Sequence, residues 1–228
     1  MEKPILFSTP MAQAILDGRK TQTRRMILSE DGDKRSWVNR HSDLYSLYGS
    51  YDGLDSFPNE SIAKRYKNKP GLYVVLSGPD GIITKCSYGK IGDVLWVRET
   101  WQKIIDNSGD QPVFAGFAYK TDNVTYPDIK WKPSIFMPKE ACRIRLKITD
   151  ISADKLQDIS EEDAMAEGIN KIDGKVIGYP FGVPFNYSNG LANYTTAIEA
   201  YQALWQSING KGSWDKNPWI WKITFEKL

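Results

Sequence analysis

Histidine and cysteine are nearly absent from this sequence: His41 is the one histidine, and Cys86 and Cys142 are the two cysteines. A structural zinc takes about four Cys, His or carboxylate ligands, and with no CxxC no such site is expected. A histidine-centred triad would have to use His41, in the polar stretch Asn39-Arg40-His41-Ser42-Asp43. Nothing there buries the ring, so a solvated loop histidine is the better reading. Two distant cysteines read as reduced thiols of a cytoplasmic protein. No apolar run approaches the roughly 20 residues of a membrane span. The apolar stretch in Met1–Phe7 is too short for a signal peptide. An excess of one charge is lacking too, with 30 Lys+Arg against 28 Asp+Glu in 228 residues. Attraction to a polyanion therefore has to come from a local patch. The expectation is a chain in the cytoplasm, without membrane, metal or cofactor.

Such a patch exists. Gly18-Arg19-Lys20-Thr21-Gln22-Thr23-Arg24-Arg25 packs four cations and two threonines into eight residues. Met11, Ala14 and Ile15 recur at helical spacing before it, so 10–17 reads as a short helix with Gly18 just past its end. Cations near a helix C-terminus offset the dipole, which accounts for Arg19 and Lys20. It does not account for Arg24 and Arg25. If Lys20–Arg25 is extended, Lys20, Gln22 and Arg24 share one face, and Thr21, Thr23 and Arg25 the other.

Eight tryptophans are unevenly placed, with Trp96 and Trp101 together and four crowding the C-terminus. Large rings build cores, and one or two could also stack on a base. Residues 4–8 read as a strand. The stretch 29–70 is polar and reads as an insertion, with one helix near 58–66. Leu72–Leu76 and Ile82–Cys86 flank Gly78-Pro79-Asp80-Gly81, a hairpin signal. Val94–Glu99, Phe114–Tyr119 and Trp219–Phe225 are further strands. Cys142–Thr149 alternates most cleanly, with Ile144, Leu146 and Ile148 inward. Ser160-Glu161-Glu162-Asp163 and Thr196-Ala197-Ile198-Glu199 open two helices as capping boxes. The first ends at Gly168, and the second carries Tyr201, Leu204 and Trp205 on an apolar stripe. Residues 170–193 read as loop. Short strands joined by turns favour an α+β domain: one small, mostly antiparallel β-barrel with about three peripheral helices.

Glu167 is the odd carboxylate. It falls at a helix C-terminus, four residues after Asp163, so dipole and like charge both disfavour its ionised form. A Lys or Arg of the 19–25 segment would compensate it; otherwise it is a solvated surface Glu.

In order along the chain stand Gly18-Arg19-Lys20-Thr21-x-Thr23-x-Arg25, then Gly92-Asp93-Val94-Leu95, then Ala164-x-x-Glu167-Gly168. Together these blocks resemble the ASCH domain, a branch of the PUA-like β-barrel superfamily. The Trp96-x-Arg98-Glu99-x-Trp101 extension, the Trp131–Ser134 loop and the Trp-rich tail resemble a longer subgroup common in phages and prophages. The resemblance covers most of the chain and leaves 29–70, 102–138 and 170–193 as insertions in a single domain. It implies a nucleobase-containing ligand, RNA or a modified nucleoside. In compact members that deacylate N4-acetylcytidine it implies catalytic Lys, Thr and Glu, which fall here on Lys20, Thr23 and Glu167. Arg24, Arg25 and Arg98 are then expected at phosphate, and Trp96, Glu99 and Trp101 beside the ligand. A non-catalytic RNA- or nucleotide-binding module and a ribonuclease are the alternative readings. The long insertion between the first two blocks departs from the compact hydrolases, so the substrate does not transfer with the motif.

Overall fold

The computed structural model describes residues 1–27, 44–48, 73–76, 82–108, 111, 113–122, 129–172, 175–178 and 192–228. Its centre is a five-stranded sheet. One edge is β1 (Glu2–Leu6), and the other is β2 (Gln22–Met26). Among the described residues there are also two three-stranded sheets and one two-stranded sheet. The first contains β3 (Leu44–Tyr48), β4 (Tyr73–Leu76) and β5 (Ile82–Lys85). The central sheet continues with β6 (Val94–Arg98), and β7 (Trp101–Asp106) pairs with β8 (Val113–Tyr119) as a separate hairpin. The sheet's long strand β9 (Arg145–Lys155) follows. Short strands β10 (Asn170–Ile172), β11 (Lys175–Gly178) and β12 (Ala192–Tyr194) form the other three-stranded sheet, and β13 (Trp219–Lys227) completes the centre. The central order is β1-β6-β9-β13-β2; β1 and β6 run parallel and every other pair is antiparallel.

The α+β class stands, but the expected closed barrel does not. Among the described residues no ladder joins the edges β1 and β2. A side chain spans that seam: Arg25 Nη2 donates to the Leu6 carbonyl at 2.8 Å, with its guanidinium 5.2 Å from the Phe7 ring centroid. Pro4 has no N–H to offer a ladder, which suits β1 to an edge. Alternation identifies strands and their inward faces, but whether two edges pair is settled by sheet curvature and by what fills the seam.

The hairpin expected around 78–81 has its two flanking strands paired, Leu76 opposite Ile82, while the turn itself lies outside the described residues. His41 and the helix expected near 58–66 lie outside them too. The 170–193 stretch, expected as loop, contains β10, β11 and part of β12; three- and four-residue strands are too short for alternation to reveal.

Among the described residues three α-helices flank the sheet: α1 (Thr9–Leu16), α2 (Glu161–Ala166) and α3 (Ala197–Asn209). Two large apolar clusters flank the central sheet among the described residues, and a smaller one of Trp101, Tyr119, Met137 and Ala141 lies under the β7–β8 pair. One large cluster contains Ile5, Phe7, Leu95, Val97, Ile144, Leu146, Ile148, Trp221, Ile223 and Phe225. The other contains Leu156, Ala164, Ile169, Tyr201, Leu204, Trp205 and Ile220. Burying each large side chain contributes roughly 1.5–3 kcal/mol. β13 belongs to both, because Ile220 and Trp221 are buried on opposite sides of the strand, and Met11 packs against each cluster. Among the described residues no helix is long and apolar enough to cross a membrane.

Candidate functional site

Two helix ends meet at the site. α1 stops in a Schellman arrangement, with Gly18 N–H donating to Ile15 O and Arg19 N–H to Ala14 O, and Gly18 at φ 75°. α2 is capped at its start by Ser160, whose hydroxyl accepts from Asp163 N, and stops at Glu167. Gly168 follows at φ 98°. A Cβ there would lie 3.1 Å from Ala14 Cβ and 3.2 Å from Lys20 Cβ. Glycine is therefore required twice over, for its backbone and for the close passage of the two helix ends. Thr21 N–H donates to Ala166 O at 2.9 Å, and Arg19 Nη1 to Gly168 O at 3.1 Å, stitching the two reversals together.

The cation that compensates Glu167 is Lys20. Its Nζ donates to Glu167 Oε2 at 2.7 Å and to the Glu167 carbonyl at 2.8 Å. Arg24 Nη1 approaches Oε1 at 3.3 Å, and its Nη2 donates to Asp163 Oδ2 at 2.5 Å. Gln22 Nε2 donates to the Asp163 carbonyl at 2.6 Å, so Lys20, Gln22 and Arg24 share the face that alternation assigned them. Lys20, Arg24 and Glu167 are 2%, 5% and 3% exposed, a charge cluster taken almost wholly out of water. Desolvation of such charges is offset only when each meets opposite charge and hydrogen bonds, as here.

The electrostatics follow from that burial. Burial pulls the Lys20 pKa below its usual 10.5 more strongly than Glu167 pushes it up, and the nearby Arg25 and Arg24 charges add to the fall. For Asp163, burial alone would raise the carboxyl, but Arg24, Lys222 and Gln22 outweigh it and hold the pKa below 3.8. Burial, then the Glu167 charge, lifts Tyr201 well above 10.0, keeping its hydroxyl protonated.

A cleft of about 50 Å³ opens beside the cluster, with Thr23, Arg24, Arg25, Glu167, Tyr201 and Trp205 among its lining. Met11, Met26, Leu204 and Ile208 add apolar wall, and Asn209 completes the lining. Thr23 is 3% exposed. Among the described residues no group of three or more His, Cys, Asp or Glu comes together to hold a metal.

Lys20, Thr23, Arg24, Arg25 and Glu167 are thus one site. The Trp96–Trp101 extension is not part of it. Arg98 turns to the 134–137 loop, donating from Nε to Met137 O at 3.1 Å and from Nη2 to Ile135 O, with Trp96 5.4 Å beneath its guanidinium. Glu99, 1% exposed, is gripped by Arg143 through Nε at 2.9 Å and Nη2 at 3.0 Å, and Thr121 adds a third bond. Trp101 is core, packed with Tyr119, Met137 and Ala141. These residues fasten the β7–β8 hairpin and the 134–142 segment to the sheet. Gln22, Asp163, Tyr201 and Trp205 were missed as site residues. Asp163 reads as an ordinary first-turn acid, and the two rings as an apolar stripe; none signals a tertiary partner in sequence.

Comparison with protein-family models, with curated proteins and with solved structures finds no match for this chain. The functional reading rests on the residues of the cluster and the cleft.

Proposed function

We propose that this chain recognises a nucleobase-containing ligand, an RNA or a modified nucleoside, at the cleft over Glu167, and deacylates an N4-acylated cytidine there. The observation that carries the reading is a Lys–Glu–Arg cluster, buried to within a few percent, whose carboxylate forms part of the wall of a cationic and apolar cleft. Strongly perturbed titratable groups beside a cleft are characteristic of reactive sites. The lowered Lys20 pKa raises the share of neutral amine, a base suited to a hydroxyl or a water. In the proposed step, oxygen from Thr23 or from a water it orients adds to the acyl carbon, and its proton passes to Lys20. The carbon–nitrogen bond then breaks, Glu167 relays the proton to the leaving amine, and the acyl group departs as carboxylate once water completes the hydrolysis. Arg25 supplies positive charge for the developing oxyanion.

A second reading, recognition without turnover, is favoured by one feature. Lys20 and the two terminal nitrogens of Arg24 are engaged by Glu167 and Asp163, as in a structural staple. The experiment that separates the two follows release of acetate from N4-acetylcytidine by proton NMR. Release that vanishes in Thr23→Val and Glu167→Gln, with folding retained, supports hydrolysis. A wild type as inert as both variants ends that reading for this substrate.

A further inference from the structure

The unpaired polar atoms around the cleft are of one kind. Arg24 Nε, Arg25 Nε and Trp205 Nε1 are buried without a hydrogen-bond partner among the described residues, and all three side chains line the same cleft. Each of these N–H groups donates and cannot accept. Arg24 and Trp205 are themselves 5% and 3% exposed. A buried unpaired donor costs roughly 1–3 kcal/mol, so three around one cleft point to something that supplies acceptors. Charge points the same way. Among the described residues the ion pairs of Lys20 and Arg24 run to Glu167 and Asp163, and Asp163 is shared with Lys222 at 3.6 Å. The Glu167 carboxylate, the charged acceptor in the wall, is already engaged by Lys20 and Arg24. The cleft's 50 Å³ is room for about four waters, which takes one oxyanion-sized group of a larger ligand and leaves the rest outside.

We infer that the cleft between β2 and α3 is an oxyanion subsite, taking a phosphate or carboxylate group on the N–H donors of Arg24, Arg25 and Trp205. The inference rests on the same cleft as the proposed function and assigns it the anionic end of the ligand. A nucleotide phosphate and a carboxylate product share this chemistry.

The test titrates inorganic phosphate, acetate and, at equal ionic strength, chloride while following tryptophan indole N–H signals by NMR. The Trp205 signal is assigned by its loss in Trp205→Phe. Saturable movement of that signal with phosphate or acetate, and none with chloride, is expected. Calorimetry should show about tenfold weaker binding in Arg25→Gln and a loss in the same direction in Trp205→Phe. Tighter phosphate than acetate assigns the subsite to a nucleotide phosphate, and the reverse order to a carboxylate. A signal that ignores both anions, follows chloride equally, or moves unchanged in Arg25→Gln overturns the inference. A protein inert on N4-acetylcytidine that still binds phosphate through Arg25 loses only the hydrolytic reading. A deacylase whose Trp205 ignores both anions loses only the subsite.

Discussion

Glu167 stands where its own helix least favours a carboxylate, and two cations, Lys20 just before β2 and Arg24 on it, hold it there. That arrangement makes its removal expensive. Glu167→Gln leaves Lys20 and Arg24 buried without their countercharge, and a loss of about 3–5 kcal/mol is expected in urea unfolding. A loss below about 1 kcal/mol would mean the cluster is wetter than its burial indicates. Asp163 sets a pH dependence of definite sign. Its folded pKa is lowered, so the unfolded chain binds more protons in acid, and the stability it contributes is present above pH 3.8 and is lost as pH falls through the folded value. Unfolding free energy measured across that range should fall less steeply in Asp163→Asn than in wild type. Equal slopes would show that Arg24 does not hold the carboxylate. At this scale Glu167 was legible from its helix position, and its countercharge only as some Lys or Arg of the 19–25 segment; the motif resemblance, not the charge pattern, singled out Lys20. Glu99 was not: its partner Arg143 lies 44 residues away, and no local pattern announces a pair that only tertiary packing creates.

Among elements, α2 does more than carry Glu167. Its first-turn Glu161 accepts from Ala197 N at 2.7 Å and Ile198 N at 3.3 Å, capping the start of α3. Those amides face the positive end of the α3 dipole, so one carboxylate serves two helices. Glu161→Ala should cost about 1 kcal/mol, the usual loss for a helix cap. Hydrogen exchange at the α3 N-terminus should quicken while exchange in β9 stays put. Uniform acceleration in both would argue against a local cap. Gly168 couples α2 to β2: Gly168→Ala places a methyl near Lys20 Cβ at an unfavourable positive φ, and a loss of about 1–3 kcal/mol is expected in thermal unfolding. Helix boundaries were legible because caps and glycines are local signals. The sheet of β10, β11 and β12 was not, since its short strands are defined by pairing rather than by sequence period.

For the whole molecule, strand identity was readable and closure was not. Alternation in 94–98, 144–148 and 219–225 reports burial, whereas the seam between β1 and β2 depends on Arg25 crossing to Leu6. That seam gives the cleft its consequence for the domain as a whole. Lys20 lies 5.6 Å from the Phe7 ring centroid in one apolar cluster, and Arg24 lies 6.0 Å from Tyr201 in the other. A ligand in the cleft touches residues that join both clusters, so it should stabilise one cooperative unfolding event rather than a local opening. At a concentration 100 times its Kd, a ligand that binds only the folded chain contributes about 2.7 kcal/mol. For a domain of this size that corresponds to a Tm rise of about 5–10 °C. A thermal-shift panel of modified nucleosides, nucleotides and short RNAs should contain members that raise a single transition by that amount, and Arg25→Gln, with tenfold weaker binding, should roughly halve the rise. Transitions that split would show that the cluster does not bridge the two cores. A panel that leaves Tm unmoved throughout would count against nucleobase recognition at this cleft, and would leave the buried Lys20–Glu167–Arg24 cluster as the staple between β2 and α2.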